Sequence, residues 1–121
     1  FKINADGDVE PLMKVENTTN LIKVIASRSH LSDEVVAFVE DLKKKGKEVE
    51  FISAGSSLKF CLIAEGKADI YPRLAPTMEW DTAAAHIVCS EAGFKVLNYD
   101  SQHEELKYNK ENLLNPWFIV Q

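Results

Sequence analysis

Gly55-Ser56-Ser57-Leu58-Lys59-Phe60-Cys61, then Tyr71-Pro72-Arg73, then Trp80-Asp81-Thr82-Ala83-Ala84-Ala85-His86 decide how this chain is read. Within these blocks a lysine, an arginine and an aspartate stand at the edges of apolar segments. A Gly/Ser turn entering a helix offers free peptide N–H groups and hydroxyls, and with Lys59 nearby these make a natural anion site. Arg73 follows a short strand and Pro72, so its guanidinium leaves the sheet at an edge or loop, where it is suited to bidentate phosphate recognition. Asp81 sits at the start of a helix whose three alanines allow close approach to neighbouring backbone. Its carboxylate is a hard ligand of the kind Mg²⁺ takes. Each residue also has a plainer reading: Asp81 as a helix N-cap, Lys59 as a solvent-facing lysine behind an ordinary cap, Arg73 as an idle surface cation.

Working outward, Leu21 to Ala26 is a short β-branched run that reads as a buried strand. Ser27-Arg28-Ser29-His30 follows as a polar loop, and Ser32 or Asp33 caps a helix with Val35, Val36, Phe38, Val39 and Leu42 on one face. That helix closes around Gly46. Glu48 to Ser53 is a second strand, Leu58 to Glu65 a helix stopped by Gly66, and Ala68 to Tyr71 a third strand ended by Pro72. Trp80 to Ala92 is a helix, Phe94 to Leu97 a fourth strand, Asp100 to Glu105 an exposed acidic turn, and Trp117 to Val120 the last strand. Asp6-Gly7-Asp8 marks a tight turn between Phe1-Ile3 and Val9-Val15. Strands alternating with helices predict an α/β layered domain, a mixed and largely buried β-sheet flanked by helices. The expected division is a connecting arm or hairpin over residues 1–20 and an α/β binding domain over residues 21–121.

A chain of 121 residues with 45% hydrophobic residues supports one compact domain. A net charge of −5 argues against a general nucleic-acid binder. No run approaches the roughly 18 apolar residues of a membrane span, and no signal-peptide pattern opens the chain. Cys61 and Cys89 both read as buried free thiols within helices, and no His/Cys set has zinc spacing. The chain is expected to be cytoplasmic, or peripheral at an inner membrane. It opens at Phe1 inside what reads as a strand and without an initiator Met, so it is expected to be a piece of something longer.

In order and spacing the three opening blocks resemble the C-terminal half of the inositol-monophosphatase superfamily, most closely its 3'(2'),5'-bisphosphate nucleotidases of the CysQ type. The resemblance runs from about Ile22 to Gln121 and includes the tail Tyr108-Asn109-Lys110-Glu111 and Leu114-Asn115-Pro116. It implies that Asp81 is a catalytic Mg²⁺ ligand, that Ser56 and Lys59 contact phosphate or ribose, and that Arg73 stands where the inositol-phosphate branch carries a sugar-binding Glu. It further implies that Ser27 and His30 line the nucleotide pocket, the imidazole stacking on or bonding adenine; the plainer reading of His30 is a surface or capping residue. His86 is expected to pack or face solvent, and His103 to have no role. In the family an acidic Glu-Glu pair and an Asp-Pro-x-Asp-Gly-Thr run supply most metal ligands from a preceding domain, and neither metal-ligand motif occurs in this sequence ahead of the opening blocks. The implied whole is a Mg²⁺-dependent phosphatase acting on a bisphosphate nucleotide, with this chain inactive by itself and an N-terminal domain as its partner. An inositol-monophosphatase-like sugar phosphatase and a non-catalytic nucleotide-binding module are the alternatives.

Overall fold

The computed structural model describes residues 1–26, 31–101 and 103–121. In chain order the elements are β1 (Lys2–Ile3), β2 (Val9–Glu10), β3 (Leu21–Ala26), α1 (Asp33–Lys44), β4 (Glu48–Ser53), α2 (Leu58–Ala64), β5 (Tyr71–Arg73), α3 (Glu79–Glu91), β6 (Val96–Asn98) and β7 (Phe118–Val120). Strands β3 and β4 pair in parallel from Leu21↔Glu48 to Ala26↔Ser53. Strand β7 lies between β5 and β6 and is antiparallel to both. The parallel pair meets the antiparallel triple at one bridge, Val24↔Ile70, where the Ile25 N–H donates to the Ile70 carbonyl at 2.8 Å. The α/β class and the mixed sheet are therefore as the sequence pattern implies.

The main core lies between this sheet and the packed pair α2 and α3. It joins Phe60, Ile63 and Ala64 of α2 to Cys89, Ile25, Tyr71, Val96, Phe118 and Val120. Helix α1 starts as its sequence dictates, with the Ser32 hydroxyl accepting from the Val35 N–H and two acidic residues in the first turn. It rests on β4 and buries only Val39. Helix α3 turns Thr82, His86 and Cys89 inward, whereas the large apolar residues Trp80, Ile87 and Val88 are exposed.

Three expectations need correction. The sheet is not largely buried, because β4 is an edge strand on which Val49 and Ile52 are half-covered and Phe51 is exposed. The third strand begins at Tyr71 rather than ending there, and Pro72 lies inside it opposite Ile119. A three-residue strand fully paired on one side only tolerates a residue that cannot donate. Cys61 is exposed and only Cys89 is buried. Phe60, Ile63 and Ala64 define the inward face of α2, which leaves Cys61 outside it. Burial pushes the Cys89 thiol up to about 12, so it stays protonated and inert.

Beyond α3, Gly93 takes φ +91°, and a Cβ placed there meets the Lys14 Cβ at 3.3 Å. The Lys14 N–H donates to the Ala92 carbonyl beside it, pinning the N-terminal arm to the end of α3. Gly93→Ala is expected to cost about 1–2 kcal/mol, the usual penalty for a left-handed L-residue. Gly55→Ala, at a position with open space and no positive φ, serves as the control. Equal urea midpoints for the two variants would refute this account of the arm.

Candidate functional site

The turn after β4, the N-terminal residues of α2, the end of β5 and the first turn of α3 converge on a cleft of about 510 Å³, lined among others by Ser56, Lys59, Tyr71, Arg73, Trp80 and Asp81. Four of the six site residues expected from sequence are thus brought together. Ser27 and His30 lie outside the described residues. A smaller neighbouring cleft of about 320 Å³, which includes Ala26 and Ser32, shares Lys59, Tyr71 and Arg73 with the first. A larger cavity of about 660 Å³ beneath residues 13–17 contains none of these charged groups.

Lys59 is not the solvent-facing residue of its plainer reading. It is 8% exposed, and its Nζ lies 5.4 Å from the centre of the Tyr71 ring, within cation–π range. Burial, and next the charge of Arg73, hold its ammonium below the usual lysine range. Arg73 donates from Nη2 to the Pro76 carbonyl at 3.3 Å, while its buried Nε has no hydrogen-bond partner among the described residues. No described carboxylate lies within 4.0 Å of either cation in an ion pair. Ser56 has φ +45°, an uncommon backbone state for serine, and Ser57 precedes α2 without a side-chain capping bond. Helix α2 has only seven residues, so the anion-binding character rests on the two cations rather than on a helix terminus.

Asp81 is the third residue of α3, not its N-cap; that position belongs to Met78. Its Oδ2 accepts from the Met78 N–H at 2.8 Å, and the side chain is otherwise open to the cleft. Its Oδ1 makes no hydrogen bond to a described residue and is a suitable hard donor for Mg²⁺. Among the described residues no three His, Cys, Asp or Glu side chains come together, and of the residues lining the cleft only Asp81 carries a carboxylate, imidazole or thiol.

Sequence reasoning missed the residues that hold this first turn. Glu79 is buried, and its carboxylate accepts from the Asn109 N–H at 2.7 Å, the Lys110 N–H at 3.2 Å and the Lys110 ammonium. The ammonium, with those peptide N–H groups, outweighs burial and holds the Glu79 carboxyl below the usual range. Asn115, also buried, places its Nδ2 within hydrogen-bond distance of Thr77 Oγ1, the Met78 carbonyl and Thr82 Oγ1, at 3.0–3.2 Å, its two N–H groups shared among the three acceptors. His86 is a packing residue: its Nδ1 lies 2.8 Å from the Tyr108 hydroxyl, and burial lowers its pKa. The tail residues were visible as a motif, but nothing in their spacing sets them against a helix some thirty positions earlier.

Comparison with known proteins fits this geometry. The sequence profile of the inositol monophosphatase family matches residues 5–117, and the chain belongs to that family. It is similar to the 3'(2'),5'-bisphosphate nucleotidase CysQ of Salmonella typhimurium, 47% identical over 98 residues, which are 80% of this chain and 37% of that protein. The enzyme of the same name from Haemophilus influenzae is 40% identical over 124 residues, covering 99% of this chain and 43% of the relative. In structure it matches CysQ from Bacteroides thetaiotaomicron, a bacterial member of the family, with a TM-score of 0.78 and 55% identity over 92% of this chain and 40% of the other. The chain therefore spans about two fifths of the length of these relatives.

A buried lysine pressed against an arginine is less favourable folded than unfolded. Lys59→Met is expected to raise stability by about 0.5–2 kcal/mol, the range typical of relieving a functional site. It should weaken inorganic phosphate binding roughly tenfold or more, as the loss of one charge-assisted hydrogen bond does. A variant with a lower melting temperature and undiminished phosphate affinity would show Lys59 to be structural.

Proposed function

We propose that this chain is the substrate-binding part of a Mg²⁺-dependent, CysQ-type phosphatase that removes the 3'-phosphate of 3'-phosphoadenosine 5'-phosphate, giving AMP and inorganic phosphate. The observation that carries the reading is the convergence of Lys59 and Arg73, two cations without described acidic partners, in the cleft that also contains Asp81. Two cations suit a doubly phosphorylated ligand better than a monophosphate of a neutral sugar. Arg73 binds a phosphate through its fork, Lys59 and Ser56 hold a second phosphate or the ribose, and Ser27 and His30 belong to the nucleoside end. Asp81 holds a Mg²⁺ through the oxygen that Met78 leaves free. When bound, Mg²⁺ neutralises charge on a phosphoryl oxygen and makes a bound water more acidic.

On this reading residues 1–20 form a connecting arm and residues 21–121 the binding domain. The remaining metal ligands belong to a preceding domain of the same protein, and the chain by itself binds without turning over. The role that follows is disposal of a by-product of sulfate assimilation in the cytoplasm. A second reading, a module that binds the nucleotide without hydrolysis, draws on Asp81 being the only carboxylate among the residues lining the cleft.

The deciding experiment is Mg²⁺-dependent phosphate release from 3'-phosphoadenosine 5'-phosphate by the protein as its gene encodes it. Asp81→Asn is expected to lower kcat/KM roughly 100-fold or more, as loss of one electrostatic catalytic contact does. An inactive wild type that still binds the nucleotide would favour the binding module. Arg73→Glu is expected to shift selectivity from the bisphosphate nucleotide toward inositol phosphate by roughly 10–100-fold, the worth of a charged bidentate contact. Unchanged selectivity would remove Arg73 as its basis.

A further inference from the structure

We propose that Asn115 is the positioning residue for Asp81, with Glu79 as a second anchor; the inference rests on the reading of Asp81 as a metal ligand. Helix α3 begins at a residue with no capping side-chain bond, since its N-cap is Met78. The N-cap residue is instead fixed from outside. Asn115 Nδ2 donates to the Met78 carbonyl at 3.0 Å, and the Asn115 N–H donates to the Thr77 carbonyl at 2.9 Å. Met78 also forms an antiparallel bridge with Leu114. The Met78 N–H in turn holds Asp81 Oδ2 at 2.8 Å. The Asn115 side chain thus holds the Met78 carbonyl and its backbone N–H holds the Thr77–Met78 peptide unit, whose N–H grips the carboxylate; together they fix Met78 on both sides and determine where the free Oδ1 points.

The orientation of the Asn115 amide is chemically determined. Thr77 and Thr82 hydroxyls can donate or accept, but the Met78 carbonyl only accepts, so the NH₂ end must face it. This leaves Asn115 Oδ1 buried without a hydrogen-bond partner among the described residues. An orphaned buried acceptor is costly, and the side chain keeps it in order to hold Met78. Glu79 acts on the other side of the same turn: its N–H donates to the Leu113 carbonyl at 2.9 Å, and its carboxylate takes the peptide N–H groups of Asn109 and Lys110. Neither residue lines the cleft. Partners that orient a metal ligand from behind are worth roughly 10–100-fold in metal affinity.

The test measures Mn²⁺ affinity directly on the whole protein, beside its affinity for inorganic phosphate without divalent metal. Asn115→Ala is expected to weaken Mn²⁺ binding roughly tenfold or more and leave phosphate binding, which rests on Lys59 and Arg73, within about twofold. A merely structural role would move both affinities together and would overturn the proposal. If Asn115→Ala does not fold, Glu79→Gln decides: Mn²⁺ binding weakened by about threefold or more with phosphate binding intact supports the clamp, and unchanged Mn²⁺ binding overturns it. Asp81→Asn is the reference. Should it bind Mn²⁺ like wild type, the metal-ligand reading fails and this inference with it. Should it bind weakly while Asn115→Ala and Glu79→Gln bind normally, only this inference fails.

Discussion

Two positive charges held close to one another, without a described carboxylate to neutralise either, are the constraint on which the cleft depends. Burial, and after it the charge of Arg73, disfavours the ionised form of Lys59. Surface cations without such a constraint turn away from one another into water. Here the Tyr71 ring holds the ammonium and the Pro76 carbonyl holds one arm of the guanidinium. The arrangement becomes favourable when an anionic ligand enters, because the ligand then meets two preorganised charges that need little further ordering.

The core sets the spacing of those charges. Phe60, next to Lys59, meets the Tyr71 ring edge-on at 5.4 Å between centroids, and Phe118 closes the group at 5.8 and 6.0 Å. Tyr71 and Arg73 lie on the same side of β5 because side chains alternate along a strand. The aromatic cluster thus positions α2 against β5, and with them the lysine against the arginine. Packing of this density resists small displacements, so a change deep in the cluster is felt at the phosphate end of the cleft.

Much of this was legible in the chain. Strand β3 and the cap of α1 follow from a β-branched run and from Ser32 ahead of two acidic residues. Lys59, Arg73 and Asp81 stood out because each is a charged residue at the end of an apolar element, where a fold gathers chemistry. What could not be read has a physical reason too. Periodicity shows that residues 58–64 form a helix, but not which side the neighbours cover, hence the exposed Cys61. Pro72 reads as a strand terminator unless it is known that β5 pairs fully on one side only. Glu79 and Asn115 depend on partners about thirty or more residues away, and local pattern carries no information about such pairings.

The cleft holds charges of both signs, and it works as a binding site only if they do not cancel. Asp81 shares the cavity with Lys59 and Arg73, yet forms no ion pair with either. Each of the three is tethered elsewhere: the carboxylate to the Met78 N–H, the guanidinium to the Pro76 carbonyl, the ammonium to the face of Tyr71. Two of those tethers, Pro76 and Met78, lie on one short segment between β5 and α3, so a single stretch of backbone sets the separation between the anionic and cationic walls. A cleft with such walls is complementary to a ligand that is itself divided, negative on one side and bearing a cation on the other. A phosphate ester with a divalent ion is a ligand of that kind, and keeping the two walls from collapsing onto each other is what the loop and its anchors contribute.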